Sequence, residues 1–217
     1  MPPTTSVVFC VDIGEEAGSG LLTHPPVTRL EWAKRLMKRF VFQKSRLNPA
    51  HQFGICTAGV ITLWHAQFSS DENAIDKAIE QIQSEDERTE WNMQTLFEAL
   101  AEHIPNNESD YVLRVILIYC RSNVPPPPTR EYKYLLDNPR LFFDCVYLHD
   151  KESAENNVQA IYDALIQLED EGKNQLFEVT RERRRFTIAM TKLLAHPQQR
   201  YPGDDSTWLL QPSPAVL

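Results

Sequence analysis

The chain has 217 residues, of which 42% are hydrophobic and 24% charged, with a net charge of −8; this is ordinary globular composition, with length enough for one domain and a sizeable core. The acidic balance argues against direct nucleic-acid binding, which needs a basic face. No apolar run approaches the roughly 20 residues that cross a membrane, and the opening MPPTTS is neither a signal nor a transit peptide, so the expected location is the cytoplasm and nucleus.

Residues 7–13 form a short, nearly continuous apolar run ending in Asp12 and Ile13, the pattern of a strand buried on both faces. A loop rich in Gly and Pro follows. Thr28 and Glu31 then make a capping box. The helix it opens has Leu30, Ala33, Met37, Phe40 and Val41 on one side and Lys34, Arg35, Lys38 and Arg39 on the other. Residues 52–57 and 60–68 read as two strands joined by Ala58-Gly59, and so short a connection forces them antiparallel. A second capping box, Ser69 to Glu72, is predicted to open a helix carrying Ile75, Ala78, Ile79 and Ile82. The acidic stretch SEDERTE leads to a helix with Leu96, Phe97, Leu100 and Ile104.

YVLRVILIYC, residues 111–120, is the longest buried-strand pattern and is interrupted only by Arg114. Four prolines, Pro125 to Pro128, end it as a stiff loop. Residues 141–149 form the next strand, with Asp144 as its one acidic group. Arg114 and Asp144 are therefore expected to pair across neighbouring strands, since buried charges are rarely left alone. A helix over 158–168, which Gly172 can end, a short strand over 176–180 and a helix over 181–195 follow. The basic run RERRR, 181–185, reads as that helix's solvated face. Strands alternating with helices predict an α/β, doubly wound, mostly parallel sheet with one antiparallel edge strand and helices on both faces.

The four cysteines, Cys10, Cys56, Cys120 and Cys145, sit singly in apolar runs and read as core packing in a reducing compartment. The sequon at Asn107-Glu108-Ser109 carries no weight in a chain that is not secreted.

In an open parallel sheet, chemistry gathers at the carboxyl ends of the strands, here 12–16, 120–123 and His149-Asp150. GSGLLT, 18–23, lacks the third glycine of a dinucleotide loop, and Pro25-Pro26 separate it from the helix. No GxSxG or Walker sequence occurs. Cys120 near His149 could make a thiol site only in an exposed, electropositive setting. The six histidines are scattered, without zinc spacing.

The element order resembles the von Willebrand factor A fold. In that family a DxSxS stretch after the first strand, a threonine before a helix and an aspartate after the fourth strand hold a divalent cation. Asp12 matches the first position and Thr95 lies near the threonine, but Gly14 and Glu16 stand where serines are expected. Arg121, within Cys120-Arg121-Ser122, replaces the aspartate. Hard cations need several oxygen ligands, and a fixed positive charge opposes them. The expectation is a kept fold with a broken metal site and no cofactor, in which Asp12 closes the strand and caps its loop.

LFFDCVYLHD at 141–150, LLAHPQQR at 193–200 and YVLRVILIYCRSNVPPP at 111–127 resemble one degenerate branch of that family, the small A-like scaffold subunits of BRISC-type deubiquitinase complexes and of a related nuclear DNA-damage complex. The resemblance covers residues 6–200. It implies a non-enzymatic scaffold that binds a subunit built from ubiquitin-conjugating-enzyme-variant domains. The larger assembly it implies holds a zinc-dependent deubiquitinase, with its pseudo-enzyme partner, that cuts chains linked through lysine sixty-three. The processes implied are double-strand-break signalling and receptor deubiquitination. A ligand-binding A domain that keeps a weak Mg²⁺ site is the alternative, and a thiol enzyme the third reading.

The expected organisation is a short N-terminal tail (1–5), the A-like domain (6–195) and a C-terminal tail (196–217). The start at the first strand suggests that a disordered leader is missing. The last segment has no periodicity and cannot build its own core. Its His196, Pro197, Arg200, Trp208, Leu209, Leu210, Pro212, Ser213 and Pro214 are the expected partner-binding residues, because Trp is enriched at binding hot spots and a proline-stiffened segment loses less entropy on docking.

Overall fold

In the computed structural model, residues 4–199 are described apart from 23, 86–89, 107–108, 127–129 and 169–172. Among these, six strands form one sheet in the order β3-β2-β1-β4-β5-β6. The strands are β1 (Thr4–Asp12), β2 (Gln52–Ala58), β3 (Thr62–Ser69), β4 (Tyr111–Tyr119), β5 (Leu141–His149) and β6 (Leu176–Thr180). Neighbours pair in parallel except β2 and β3, so the tight turn after Ala58 does produce the antiparallel edge. The helices are α1 (Arg29–Leu47), α2 (Glu72–Gln81), α3 (Gln94–Ala101), α4 (Lys133–Leu136), α5 (Val158–Leu165) and α6 (Arg183–Lys192). No described helix is long and apolar enough to cross a membrane.

The period-two geometry of a strand sends alternate side chains of β1 to opposite faces. Val7, Phe9 and Val11 pack under α1, α2 and α6 with Phe40, Ile79 and Phe186. Val8 and Cys10 join Leu96, Phe97, Ile161 and Leu165 on the other face, under α3 and α5. Both faces are buried, which is why β1, β4 and β5 read as near-continuous apolar runs rather than as alternating ones. The four cysteines are buried and unpaired, as their apolar settings imply.

The helix starts follow local chemistry, with one correction. Thr28 caps α1 as a capping box: its hydroxyl accepts from the Glu31 N–H at 3.0 Å, and Glu31 Oε2 accepts from the Thr28 N–H at 2.8 Å. At α2 the cap is Asp71, not Ser69: the Asp71 carboxylate accepts from the Asn73 and Ala74 N–H groups. Ser69 Oγ only receives the Asp71 N–H. A carboxylate two residues nearer the helix outcompetes the hydroxyl, because it also favours the positive end of the dipole. β1 starts at Thr4, ahead of the apolar run that predicts it, because Thr4 and Thr5 pair with Tyr111 and Val112 of β4. α6 is shorter at both ends than the predicted 181–195.

The predicted pair is present. Arg114 Nε meets Asp144 Oδ2 at 2.7 Å, with both side chains fully buried. Strand order runs outward in opposite directions from β1 and β4, so the switch point lies between them. The loops that leave their carboxyl ends carry Asp12 and Arg121.

Candidate functional site: a pole with a built-in cation

At the end of β1 the Asp12 carboxylate is fully buried. Its Oδ1 accepts from the Gly14 N–H at 3.0 Å and from Arg121 Nε at 2.9 Å; its Oδ2 accepts from the Cys120 N–H at 2.9 Å. Burial pushes this carboxyl up from its ordinary value, while the Arg121 guanidinium and the Gly14 and Cys120 amides oppose the shift. Arg121 is itself buried and donates through Nη2 to the carbonyls of Ala58 and Gly59 at the end of β2. One guanidinium thus bridges the ends of β1, β2 and β4.

A second guanidinium ties β5 to β4. Arg29, the first residue of α1, is fully buried. Its Nη1 donates to the Cys120 carbonyl at 2.8 Å, the Leu148 carbonyl at 3.2 Å and Glu16 Oε2 at 3.3 Å. Its Nη2 pairs with Asp150, which also holds Arg181 at 3.1 Å. Glu16, in the turn Glu15–Gly18, accepts from the Ser122 N–H and hydroxyl at 2.8 and 2.6 Å. Ser122 Oγ in turn accepts from the Asp150 N–H at 2.9 Å. Three carboxylates and the guanidiniums between them alternate across the pole, which is how buried charge becomes tolerable.

These residues do not fit a divalent cation. Gly14 supplies no side-chain oxygen, and a Cβ there would lie 3.2 Å from Arg121 Nε and 3.3 Å from Asp12 Oδ1. The guanidinium fills the space into which a serine would project. The Thr95 hydroxyl is engaged elsewhere. It donates to the Asn92 carbonyl and accepts from the Thr62 N–H, pinning the β2–β3 turn. Among the described residues no group of three His, Cys, Asp or Glu side chains is arranged to hold a metal.

The thiol reading loses its setting. Cys120 is buried, and burial, followed by the Asp12 charge, pushes its thiol well up. His149 instead meets the Asp150 carbonyl through Nδ1 at 2.6 Å, has Glu178 3.1 Å from Nε2 and stacks on Tyr147.

Sequence reasoning anticipated a cation at Arg121 but assigned it only repulsion; the guanidinium stands in for the ion. It missed Arg29 and the role of Glu16. The signal for Arg29 was its place on the apolar stripe of α1, four residues before Ala33 and eight before Met37. Of the expected partner-binding residues, His196 and Pro197 are buried against the domain. Arg200, Trp208, Leu209, Leu210, Pro212, Ser213 and Pro214 lie outside the described residues, as do Gly172 and part of both the acidic stretch and the proline run.

The sheet order, the antiparallel edge and the aspartate-led loop define a von Willebrand factor A-type domain, here with a guanidinium at the ion position. Solved structures agree on the fold. The Rpn10 VWA domain superposes with a TM-score of 0.59 at 14% identity, over 83% of this chain and 89% of that one. Mussel byssus proximal thread matrix protein 1, whose structure is described as having a zinc-occupied MIDAS motif, gives 0.61 at 14% identity over 88% and 45%. In sequence the chain is similar to BRISC and BRCA1-A complex member 1: 26% identical over 210 residues to that of Xenopus tropicalis, and 24% over 212 residues to that of Homo sapiens. Each match takes in 89% of this chain and 66% or 64% of the relative, so the chain spans slightly under two thirds of their length. No protein-family model matches it.

Proposed function

We propose that the chain is a non-catalytic scaffold subunit of a BRISC- or BRCA1-A-type assembly. The observation that carries the reading is Arg121 seated on Asp12. An A-type domain whose ion position is occupied from within has its outer surfaces, not a coordination centre, to offer partners; the name of its relatives supplies the assembly. In this reading its direct partner is a subunit of ubiquitin-conjugating-enzyme-variant domains. The assembly's enzyme is a zinc-dependent deubiquitinase for chains linked through lysine sixty-three, working in cytoplasm and nucleus. The tail beyond residue 200 contributes to docking, with Trp208, Leu209 and Leu210 as apolar anchors and Pro212, Ser213 and Pro214 as a stiff segment.

Affinity purification of the tagged full chain from native extract, followed by mass spectrometry and a chain-cleavage assay, tests the reading. Recovery of a variant-domain subunit and a metal-dependent deubiquitinase is expected, and recovery of neither refutes the assignment. Deleting 201–217 should leave the thermal midpoint nearly unchanged and weaken partner binding by tenfold or more, about 1.4 kcal/mol, with Trp208→Ala accounting for much of the loss. Undiminished binding by the truncated chain would move the docking surface onto the domain.

A further inference from the structure

The outward side of α1 carries Arg35, Arg39 and Phe42 at spacings of four and three residues, which places them on one ridge. Trp32 lies beside the ridge and bonds through Nε1 to Thr187 of α6 at 3.2 Å. Two guanidiniums approach its indole: Arg35 at 5.5 Å and Arg183 of α6 at 4.9 Å from the ring centroid. Phe42 is 53% exposed, an aromatic left in water with Arg46 4.7 Å from its ring. Arg35, Arg39, Arg183 and Arg184 are all exposed.

Most guanidiniums on this seam have no ion-pair partner among the described residues. Lys38 and Arg46 pair with Glu80 and Glu72 of α2, and Arg185 pairs with Glu182. Among the described residues, Arg35, Arg39, Arg183 and Arg184 have no such ion pair. Glu31, the acidic group nearest Arg35 in sequence, is held by Thr28 in the capping box, and Arg35 acts on it only at a distance, without a contact pair. Arg183 and Arg184 also sit in the first turn of α6, where the helix dipole disfavours cations, and its cap, Glu182, makes no side-chain cap hydrogen bond. Local rules broken without a local gain mark a surface with another use.

We propose that the outward face of α1, from its seam with α6 at Trp32 to Phe42, is a docking surface for an acidic protein segment that also carries apolar side chains. A guanidinium lying over an indole keeps its in-plane N–H donors, which match a carboxylate in bidentate fashion, and Phe42 offers an apolar contact about 15 Å from Trp32 along the helix. The chain's net charge of −8 and the acidic α2 alongside favour a short acidic peptide over an extended polyanion such as DNA. The surface does not depend on the scaffold reading.

The test is fluorescence anisotropy on the full chain. The probe is a fluorescein-labelled peptide alternating glutamate with leucine and phenylalanine; a glutamate-only peptide and a short DNA duplex are run beside it. Saturable binding of the mixed peptide is expected, weakened at least about tenfold by Arg35→Glu with Arg183→Glu, and also by Phe42→Ser, and falling with added salt. Lys133→Glu with Lys151→Glu, exposed charges on other elements, should leave it unchanged. Equal binding by the seam variants, no saturable binding, or tighter binding of the duplex overturns the proposal. Arg39→Glu alone, with its thermal midpoint, serves should the double variant fail to fold.

Discussion

Removing one member of the Arg114–Asp144 pair should be among the most damaging single changes available in this sheet. The pair is diagonal: Arg114 lies opposite Phe142, and Asp144 opposite Ile116. It also reaches beyond the two strands. Arg114 Nη1 donates to the Leu193 carbonyl and, at 3.2 Å, to the Ala195 carbonyl at the end of α6. Asp144 Oδ1 accepts from the Gln175 N–H just before β6 at 3.0 Å. One ion pair therefore joins β4, β5, the end of α6 and the entry to β6. Asp144→Asn keeps the shape but leaves the buried guanidinium without its counter-charge; Arg114→Met leaves the buried carboxylate without its counter-charge and removes the donor from the carbonyls at the end of α6. Each should cost about 3–5 kcal/mol. At about 2–4 °C per kcal/mol for a chain this size, the thermal midpoint falls by roughly 10 °C. Arg114→Met with Asp144→Leu removes both charges together and should cost less than either single change. Urea unfolding followed by tryptophan fluorescence measures all three, and hydrogen exchange at 193–196 should rise in the Arg114 variant. Single costs that add to within about 0.5 kcal/mol in the double variant would show that the two groups do not act as a pair, and the account would fail.

Two further outcomes follow from the poles. Calorimetry of the native chain with Mg²⁺ or Mn²⁺ should give no specific isotherm, whereas Gly14→Ser with Glu16→Ser and Arg121→Asp, which replaces the guanidinium with oxygen donors, should gain one; a millimolar-or-tighter native isotherm abolished by Asp12→Ala would contradict the built-in cation. At the opposite pole, burial and then Arg114 hold Lys44 down at about 8, and burial, followed by Lys44 and His196, holds His51 down at about 4, where its Nδ1 accepts the Thr5 N–H. In both cases the unfolded chain binds the extra proton, so the contribution of Lys44 to stability should rise with pH between about 8 and 10.5 and that of His51 fall as pH drops from about 6.5 to 4, while the buried thiols and phenols, pushed up by burial, act against Lys44 in the alkaline range. Lys44→Met should stabilise the chain at neutral pH, and its advantage over the native chain, read from urea midpoints across pH, should shrink between about 8 and 10.5; a difference that does not change with pH would rule Lys44 out.

What the sequence disclosed was what short-range patterns encode. Apolar runs marked β1, β4 and β5 because their burial on two faces leaves no alternation to misread. Ala58-Gly59 forced the antiparallel edge because chain length allows nothing else. The Arg114–Asp144 pair was legible because each charge stood alone in a strand. The pole was half legible. Asp12, Gly14, Glu16 and Arg121 could be named through the resemblance to the A-type motif, but whether Arg121 repels an ion or replaces it depends on where its guanidinium points. Arg29 stayed hidden because its acceptors, Cys120 and Leu148, are 91 and 119 residues away. Ser69 misled because hydroxyl and carboxylate caps two residues apart compete on geometry that a pattern does not contain.

The internal cation has a thermodynamic consequence. A bound ion is a solute, and the stability it lends follows its free concentration. The guanidinium of Arg121 is tethered to the last turn of backbone beyond β4, so its effective concentration at Asp12 is fixed by the chain itself. No chelator can draw it off, and no change in cellular magnesium can alter its occupancy. The ends of β1, β2 and β4 are held together at a strength independent of the ionic composition around them, by a charge that only a change of sequence can remove.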